Sequence, residues 1–271
     1  MHSRFLLSML TVLPLAMPQL QAQPNQSSSE LAQVVGSPMR RIEAPSETAS
    51  VQELETQADS LRGQKDFLDA LDYYRAALLK TPKSGQLWNK AGITELLSQR
   101  YAEAKKDFER SIRLDRQSPD ACNNLGVIFY LQKKYKNAIR QYERAIKLKP
   151  DSASFYSNMG AAYFSTKKFE DAMHAYNHAV QLDPTVFERS SHSGISAQMS
   201  SPEDRAHFEY VLAKLFAQQG DSDRSLEYLR KAMEEGYKQI NDVYKDPEFQ
   251  GLRSDGRFTQ LMAARPPAIP E

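Results

Sequence analysis

A chain of 271 residues with 41% hydrophobic and 25% charged residues has the balance of a water-soluble globular protein and the length to bury a sizeable core. Lys and Arg number 35 against 34 Asp and Glu, and this near-neutrality argues against a nucleic-acid partner, which normally demands a basic face. A single cysteine excludes an internal disulfide framework, so packing alone must hold the fold.

Residues 1–22 have the layout of a secretory signal. Arg4 supplies a short basic start, Phe5 to Met17 an apolar run, and Leu20-Gln21-Ala22 a cleavage site. The run is too short to span a bilayer comfortably and is interrupted by Pro14. No cysteine follows it, which closes the lipoprotein route; an uncleaved anchor is the alternative to cleavage. Removal of residues 1–22 leaves 34 basic against 34 acidic residues, a neutral exported protein, periplasmic or secreted, with no stable membrane span. Residues 23–50 are rich in Gln, Ser, Pro and Glu and read as a disordered linker, the Met39-Arg40-Arg41-Ile42 stretch included.

From residue 51 to 186 one pattern recurs four times at a period of 34 residues, over 51–84, 85–118, 119–152 and 153–186. With Ala70, Ala104, Ala138 and Ala172 aligned, an aromatic precedes each (Phe67, Tyr101, Tyr135, Phe169) and another follows (Tyr74, Phe108, Tyr142, Tyr176). Small residues recur at Ala58, Gly92, Gly126 and Gly160, and again at Ala77, Ser111, Ala145 and Ala179. Proline closes three copies at Pro82, Pro150 and Pro184. Each unit holds two helical apolar periodicities split by a short polar turn such as Gln132-Lys133-Lys134. Small residues let the two helices approach, aromatics fill the space around them, and stacked units bury what one pair cannot.

These residues, with Trp88 and Asn123-Asn124-Leu125-Gly126, resemble the tetratricopeptide repeat (TPR) family. The resemblance implies an all-α helix-turn-helix solenoid and, for function, a binding scaffold whose partners vary.

After Pro184 the register breaks. Residues 187–202 lack helical periodicity and form a short irregular insert, in which 186–190 and 195–199 could pair as a hairpin around Gly194. Ser201-Pro202-Glu203-Asp204 restarts helix as a cap followed by first-turn acids. Residues 203–236 then read as a divergent fifth helix pair, with Ala213, Gly220, Ser225 and Ala232 at the small and turn positions. Residues 237–264 form a C-terminal helical cap, similar to an end segment of some bacterial TPR proteins, whose Phe249, Leu252, Phe258 and Leu261 cover the exposed apolar end. Residues 265–271, with three prolines, are a loose tail.

No catalytic or phosphate-binding signature stands out, and no cofactor or metal is expected. Residues 194–198 lack the second glycine of a nucleophile elbow, and His192 beside Ser191 and Ser193 is adjacency rather than triad geometry. His174 and His178 have a metal-compatible spacing, but the same columns hold Lys106 and Arg110, then Arg140 and Arg144. They read as a solvated basic column. Cys122 reads as a small buried hydrophobe. The cations at the turns, Lys65, Arg100, Lys133, Lys134, Lys136, Lys167 and Lys168, read as a solvated edge.

In the TPR family the first helix of each repeat faces a concave groove. The resemblance places Asn89, Ile93, Leu96, Asn123, Asn124, Val127, Tyr130, Asn158 and Phe164 there, with Gln86, Lys90, Leu97 and Leu131 beside them. Carboxamides could hydrogen-bond a peptide backbone and the apolar side chains could bury a partner's. Asn124 and Asn158 also stand where the family consensus has Asn and could serve the fold alone. Lys90 is the single cation among these groove positions of repeats two to four, so the basic clamp that captures C-terminal carboxylates is missing. The reading is a non-enzymatic scaffold for a protein or peptide in the cell envelope. The competing readings are an enzyme or ligand-binding protein with its site at residues 187–202, and a structural module that oligomerises through its ends.

Overall fold

The structure, a computed structural model, describes residues 44–187 and 202–265. The expected signal, the linker up to residue 43, the insert and its hairpin over 188–201, the Ser201 cap and the tail from 266 lie outside the described residues.

Eight helices form four hairpins: α1 (Val51–Gly63) with α2 (Phe67–Lys80), α3 (Gly85–Leu97) with α4 (Tyr101–Leu114), α5 (Pro119–Leu131) with α6 (Tyr135–Leu148), and α7 (Ala153–Ser165) with α8 (Phe169–Leu182). A fifth hairpin follows, α9 (Pro202–Gln218) with α10 (Ser222–Glu234). Three short 3₁₀ segments and α11 (Gly256–Ala264) complete the chain. There is no strand among the described residues, and none of their helices is long and apolar enough to cross a membrane.

Serine begins each of the first four hairpins, at Ser50, Ser84, Ser118 and Ser152. The first three hydroxyls accept the amides of Glu53, Leu87 and Ala121, groups that have no partner inside a helix. At Ser50 the Glu53 carboxylate returns the bond at 2.7 Å, closing a capping box. The Ser152 hydroxyl pairs instead with that of Ser154.

The first helix of every hairpin ends in the same left-handed turn. Lys65, Gln99, Lys133, Lys167 and Gly220 have φ of 69°, 61°, 59°, 61° and 78°. In each case the next amide reaches back to the carbonyl five residues earlier, as in Asp66 to Leu61 and Lys134 to Phe129. Four of these five turns impose on a side chain a conformation that glycine adopts freely.

Glycine matters inside the hairpins. A Cβ at Gly92, Gly126 or Gly160 would stand 2.7, 2.5 or 2.4 Å from the ring of Phe108, Tyr142 or Tyr176, respectively. The ring of the second helix therefore occupies the space that a side chain on the first would take. All three rings are fully buried. Cys122 is buried beside Ala145 and Phe155 at the next junction.

At the regular junctions, the start of a first helix packs on the end of the preceding second helix, as Phe155 does against Ala145, Ile146 and Leu148. The fifth hairpin breaks this rule. His207, near the start of α9, lies 4.3 Å from Phe169 at the start of α8. Gln219, just past the end of α9, donates to Asn177 at 2.8 Å, and Arg224 to the Pro184 carbonyl beyond the end of α8. Helix α9 thus runs in the same direction as α8 and opposite to α7. Residues 183–201 supply the long connection that such a return needs, where residues 81–84, 115–118 and 149–152 suffice at the other junctions. Internally the pair keeps the earlier pattern: Ser225 bonds the Ala213 carbonyl at 2.8 Å and Phe216 stacks on Tyr228. Phe249, Leu252, Phe258 and Leu261 are buried in one cluster with α9 and α10.

The ring contact yields a paired expectation. Gly126→Ala forces Tyr142 aside and costs about 1–3 kcal/mol of unfolding free energy. Gly63, at the end of α1, has nothing within 4 Å of an added Cβ, so the same substitution there gains up to about 1 kcal/mol. Denaturant titration of the two variants measures both signs.

Candidate functional site: the inner wall of the repeats

Helices α1, α3, α5 and α7 stand side by side, and one hydrogen-bond rule joins them at an offset of 35 residues. Asn158 Nδ2 donates to Asn123 Oδ1 at 2.9 Å, and Asn124 Nδ2 to Asn89 Oδ1 at 3.2 Å. Asn123 Nδ2 links the two pairs through Asn124 Oδ1 at 3.3 Å. At the first junction the same positions carry charge, with Lys90 Nζ 2.7 Å from Glu55. The Ser165 hydroxyl donates to Tyr130 OH at 3.1 Å at the same offset.

The expected groove residues are therefore gathered on one wall, but at different depths. Asn123, Asn124, Val127, Tyr130, Asn158, Leu96 and Phe164 are buried, and Asn89 and Ile93 are half-buried. The buried carboxamides hold one another. Deleting one of them leaves a partner amide unsatisfied in the interior. What the wall presents outward is Gln86, with Leu97 at 43% and Leu131 at 39% exposure, and the half-buried Ser157 and Ser165. Leu97 and Leu131 end their helices one repeat apart; their recurrence in the sequence is the signal that marks them as a pair.

Lys90 is neutralised. Its ammonium lies between Glu55 and Asp59, 2.5 Å from the latter, and Asp59 also accepts from Tyr74 and Arg62. Burial opposes charge on both groups, yet these hydrogen bonds prevail, keeping the Asp59 pKa below and the Lys90 pKa above its ordinary value. No cation of the wall is left for a partner's terminal carboxylate.

Behind α3 lies a buried pair of acids. Arg75 Nη2 bridges Glu95 Oε1 at 2.6 Å and Asp107 Oδ2 at 2.5 Å, and its guanidinium lies over Trp88. Burial, then the facing Asp107, pushes Glu95 up to about 7; burial also raises Asp107, against the pull of Arg75 and Arg100. Perturbed carboxyls can signal catalysis. Here the side chains are 2% and 8% exposed, so the arrangement is a packed one that no substrate reaches.

At the far end of the wall, a cleft of about 550 Å³ opens between the α7–α8 turn and the start of α9, lined by Phe164, Lys167, Phe169, Asp204, His207 and Tyr237. The His207 ring is stacked with Tyr237, and burial lowers its pKa. His207 carries no motif, and the reversed docking of α9 that places it has no signature in the sequence. His174 and His178 are exposed, the latter stacked on Tyr156, and no group of three metal-ligating side chains occurs among the described residues. His192 lies outside them.

Models of the tetratricopeptide repeat match residues 55–119, 153–186 and 210–235, and a TPR repeat model matches 126–167. No curated protein matches the chain. Among solved structures, it is similar to MamA (41-end) from Desulfovibrio magneticus RS-1, at 18% identity and a TM-score of 0.50 over 71% of this chain and 96% of that one. A crystal structure of MamA protein gives 20% identity and a TM-score of 0.49 over 73% and 95%. YrrB, described as a TPR protein with an unusual peptide-binding site, gives 19% identity and 0.47 over 75% and 99%. At these identities the likeness is one of fold.

The Glu95–Asp107 pair has a measurable signature. A raised folded-state pKa means that the native state holds a proton the unfolded chain releases, so this contribution to stability is full below about pH 4.5 and is lost as pH rises through about 7. Glu95→Gln removes the titration. Denaturation midpoints at about pH 5 and about pH 8 are expected to show the natural chain losing ground to Glu95→Gln at the higher pH.

Proposed function

Because the chain belongs to the tetratricopeptide repeat family, we propose that it is a non-enzymatic scaffold that holds a peptide or helix of a partner protein along its inner wall. One observation carries the reading: the first helices are locked together by their own carboxamides and present Ile93, Leu97 and Leu131 as a fixed apolar row beside Gln86 and Asn89. A pre-ordered apolar strip with a polar rim suits burial of a partner's side chains at little ordering cost. Neutralisation of Lys90 turns the preference away from terminal carboxylates and toward apolar anchors.

We further infer an exported protein working in the cell envelope, as a periplasmic or secreted species. The layout of residues 1–22, a basic start, an apolar run and a cleavage site, supports this reading.

Buried Asn123 and Tyr130 are poor probes of binding, since their loss damages the wall itself. The informative variant is Ile93→Ser with Leu97→Ser and Leu131→Ser. It is expected to keep its helical content and to recover partners from envelope extract about tenfold less well than the natural chain. Recovery of the same partners in the same amounts would sink the groove reading. Export is tested by mass spectrometry of the N-terminus of the cell-made protein: a start at Gln23 is expected, and an intact residue 1 on a cytoplasmic product would overturn it.

A further inference from the structure

The charge of this nearly neutral chain is strongly segregated. Residues 100–149 hold thirteen Lys and Arg against six Asp and Glu, while the rest holds twenty-two against twenty-eight. The structure shows where the surplus goes. Of the six acids, Asp107 is buried against Arg75, Glu103 and Glu109 pair with Arg100 and Lys105, and Asp115 caps the backbone of its own loop. Asp120 is half-buried, which leaves Glu143 as the exposed acid of the stretch with neither a described ion pair nor a described capping bond. The cations are outside. Lys106, Arg110 and Arg113 stand on α4 at helical spacing, and Arg140 and Lys147 on α6. All five are exposed. Arg144, between the last two, donates to the Arg116 carbonyl at 3.0 Å and ties α6 to the connection that leaves α4.

We propose that the outer face of α4 and α6 is a second docking surface, independent of the inner wall, and that its occupant is a short acidic segment of another protein. Like charges held on rigid helices create a field that draws an anion and that folding alone does not require. The guanidiniums of Arg110, Arg113 and Arg140 can each take a carboxylate through two parallel bonds. Carboxylates on a partner helix three, four and seven residues apart match the Lys106–Arg110–Arg113 row, because both helices share the same rise. The extent of the patch favours a short segment over a broad anionic surface. A helix of this length spans about 21 Å, and beyond it the chain is net acidic, so a bilayer or a nucleic-acid duplex would meet repulsion on either side. A membrane would also want apolar anchors. Of the exposed large hydrophobic side chains, Tyr101 alone lies on α4 or α6, at the first position of α4 and away from the Lys106–Arg110–Arg113 row.

The test uses the full mature chain and its variant Lys106→Gln, Arg110→Gln, Arg140→Gln, Lys147→Gln, four exposed positions with no described ion pair. The probe is a fluorescent helical peptide with glutamates at the matching spacing, followed by anisotropy. Binding by the natural chain is expected, at least about tenfold weaker in the variant and weakened likewise as salt rises from about 50 to about 300 mM. Leu97→Ser with Leu131→Ser is expected to bind the probe unchanged, which separates this surface from the inner wall. Failure of the natural chain to bind the peptide, or equal binding by the four-site variant, would overturn the proposal. So would tighter binding to phosphatidylglycerol vesicles or to duplex DNA than to the peptide at equal ionic strength.

Discussion

One contact sets the geometry of the whole stack: an aromatic ring of the second helix lying on a glycine of the first. With Tyr142 on Gly126 and Tyr176 on Gly160, the two helices of a pair come close enough that the ring is wholly enclosed. That closeness fixes the rotation of the first helix about its axis. Its glycine face is committed to its own hairpin, so its remaining faces must meet the neighbouring hairpins and the solvent. The carboxamide pairs at an offset of 35 residues are the consequence. Glycine at one position and asparagine at others are thus one constraint expressed on two faces of a helix.

Comparison of the repeats within the chain separates what that contact needs from what it tolerates. The ring is required, the hydroxyl is not. Phe108 fills the role without one, while Tyr142 and Tyr176 bury theirs with no hydrogen-bond partner among the described residues. In the first repeat the hydroxyl of Tyr74 reaches Asp59 at 2.5 Å and joins the Lys90 cluster. Ala58 stands there in place of glycine. The charge-paired junction between the first two hairpins and the amide-paired junctions beyond it are two solutions to one geometric problem, since both satisfy polar groups that the stack would otherwise strand.

The family and the helical class were legible because the same side-chain sizes recur every 34 residues, and size is what close packing reads. The serine caps at Ser50, Ser84, Ser118 and Ser152 were equally open to reading, being the residue type that helix starts favour at a constant spacing. The left-handed turns were hidden, because Lys65, Gln99, Lys133 and Lys167 occupy a conformation usually marked by glycine. The depth of Asn123, Asn124 and Asn158 was hidden for a different reason. A carboxamide on a helix face looks the same whether its partner is a ligand or another carboxamide a full repeat away. Sequence also cannot tell the direction in which α9 docks, since a hairpin has the same internal pattern whichever way round it is laid.

That reversal bounds the inner wall. A hairpin laid in the usual direction would extend the row of first helices and offer a further partner to Asn158 and Ser165. With α9 turned the other way, its polar groups look elsewhere: Tyr210 bonds Asp246, and Lys214 pairs with Asp246 and Glu248 of the segment that follows α10. The last hairpin is thereby committed to the C-terminal helical segments instead of to another repeat. A stack that could otherwise grow or pair through an open apolar end is closed by Phe249, Leu252 and Phe258. Among the described residues the wall then runs from α1 to α7. Its accessible row is confined to the middle repeats, back to back with the cationic faces of α4 and α6. Two surfaces of different chemistry on opposite sides of the same rigid repeats can be occupied at once without competing, and that is the geometry a scaffold joining two proteins requires.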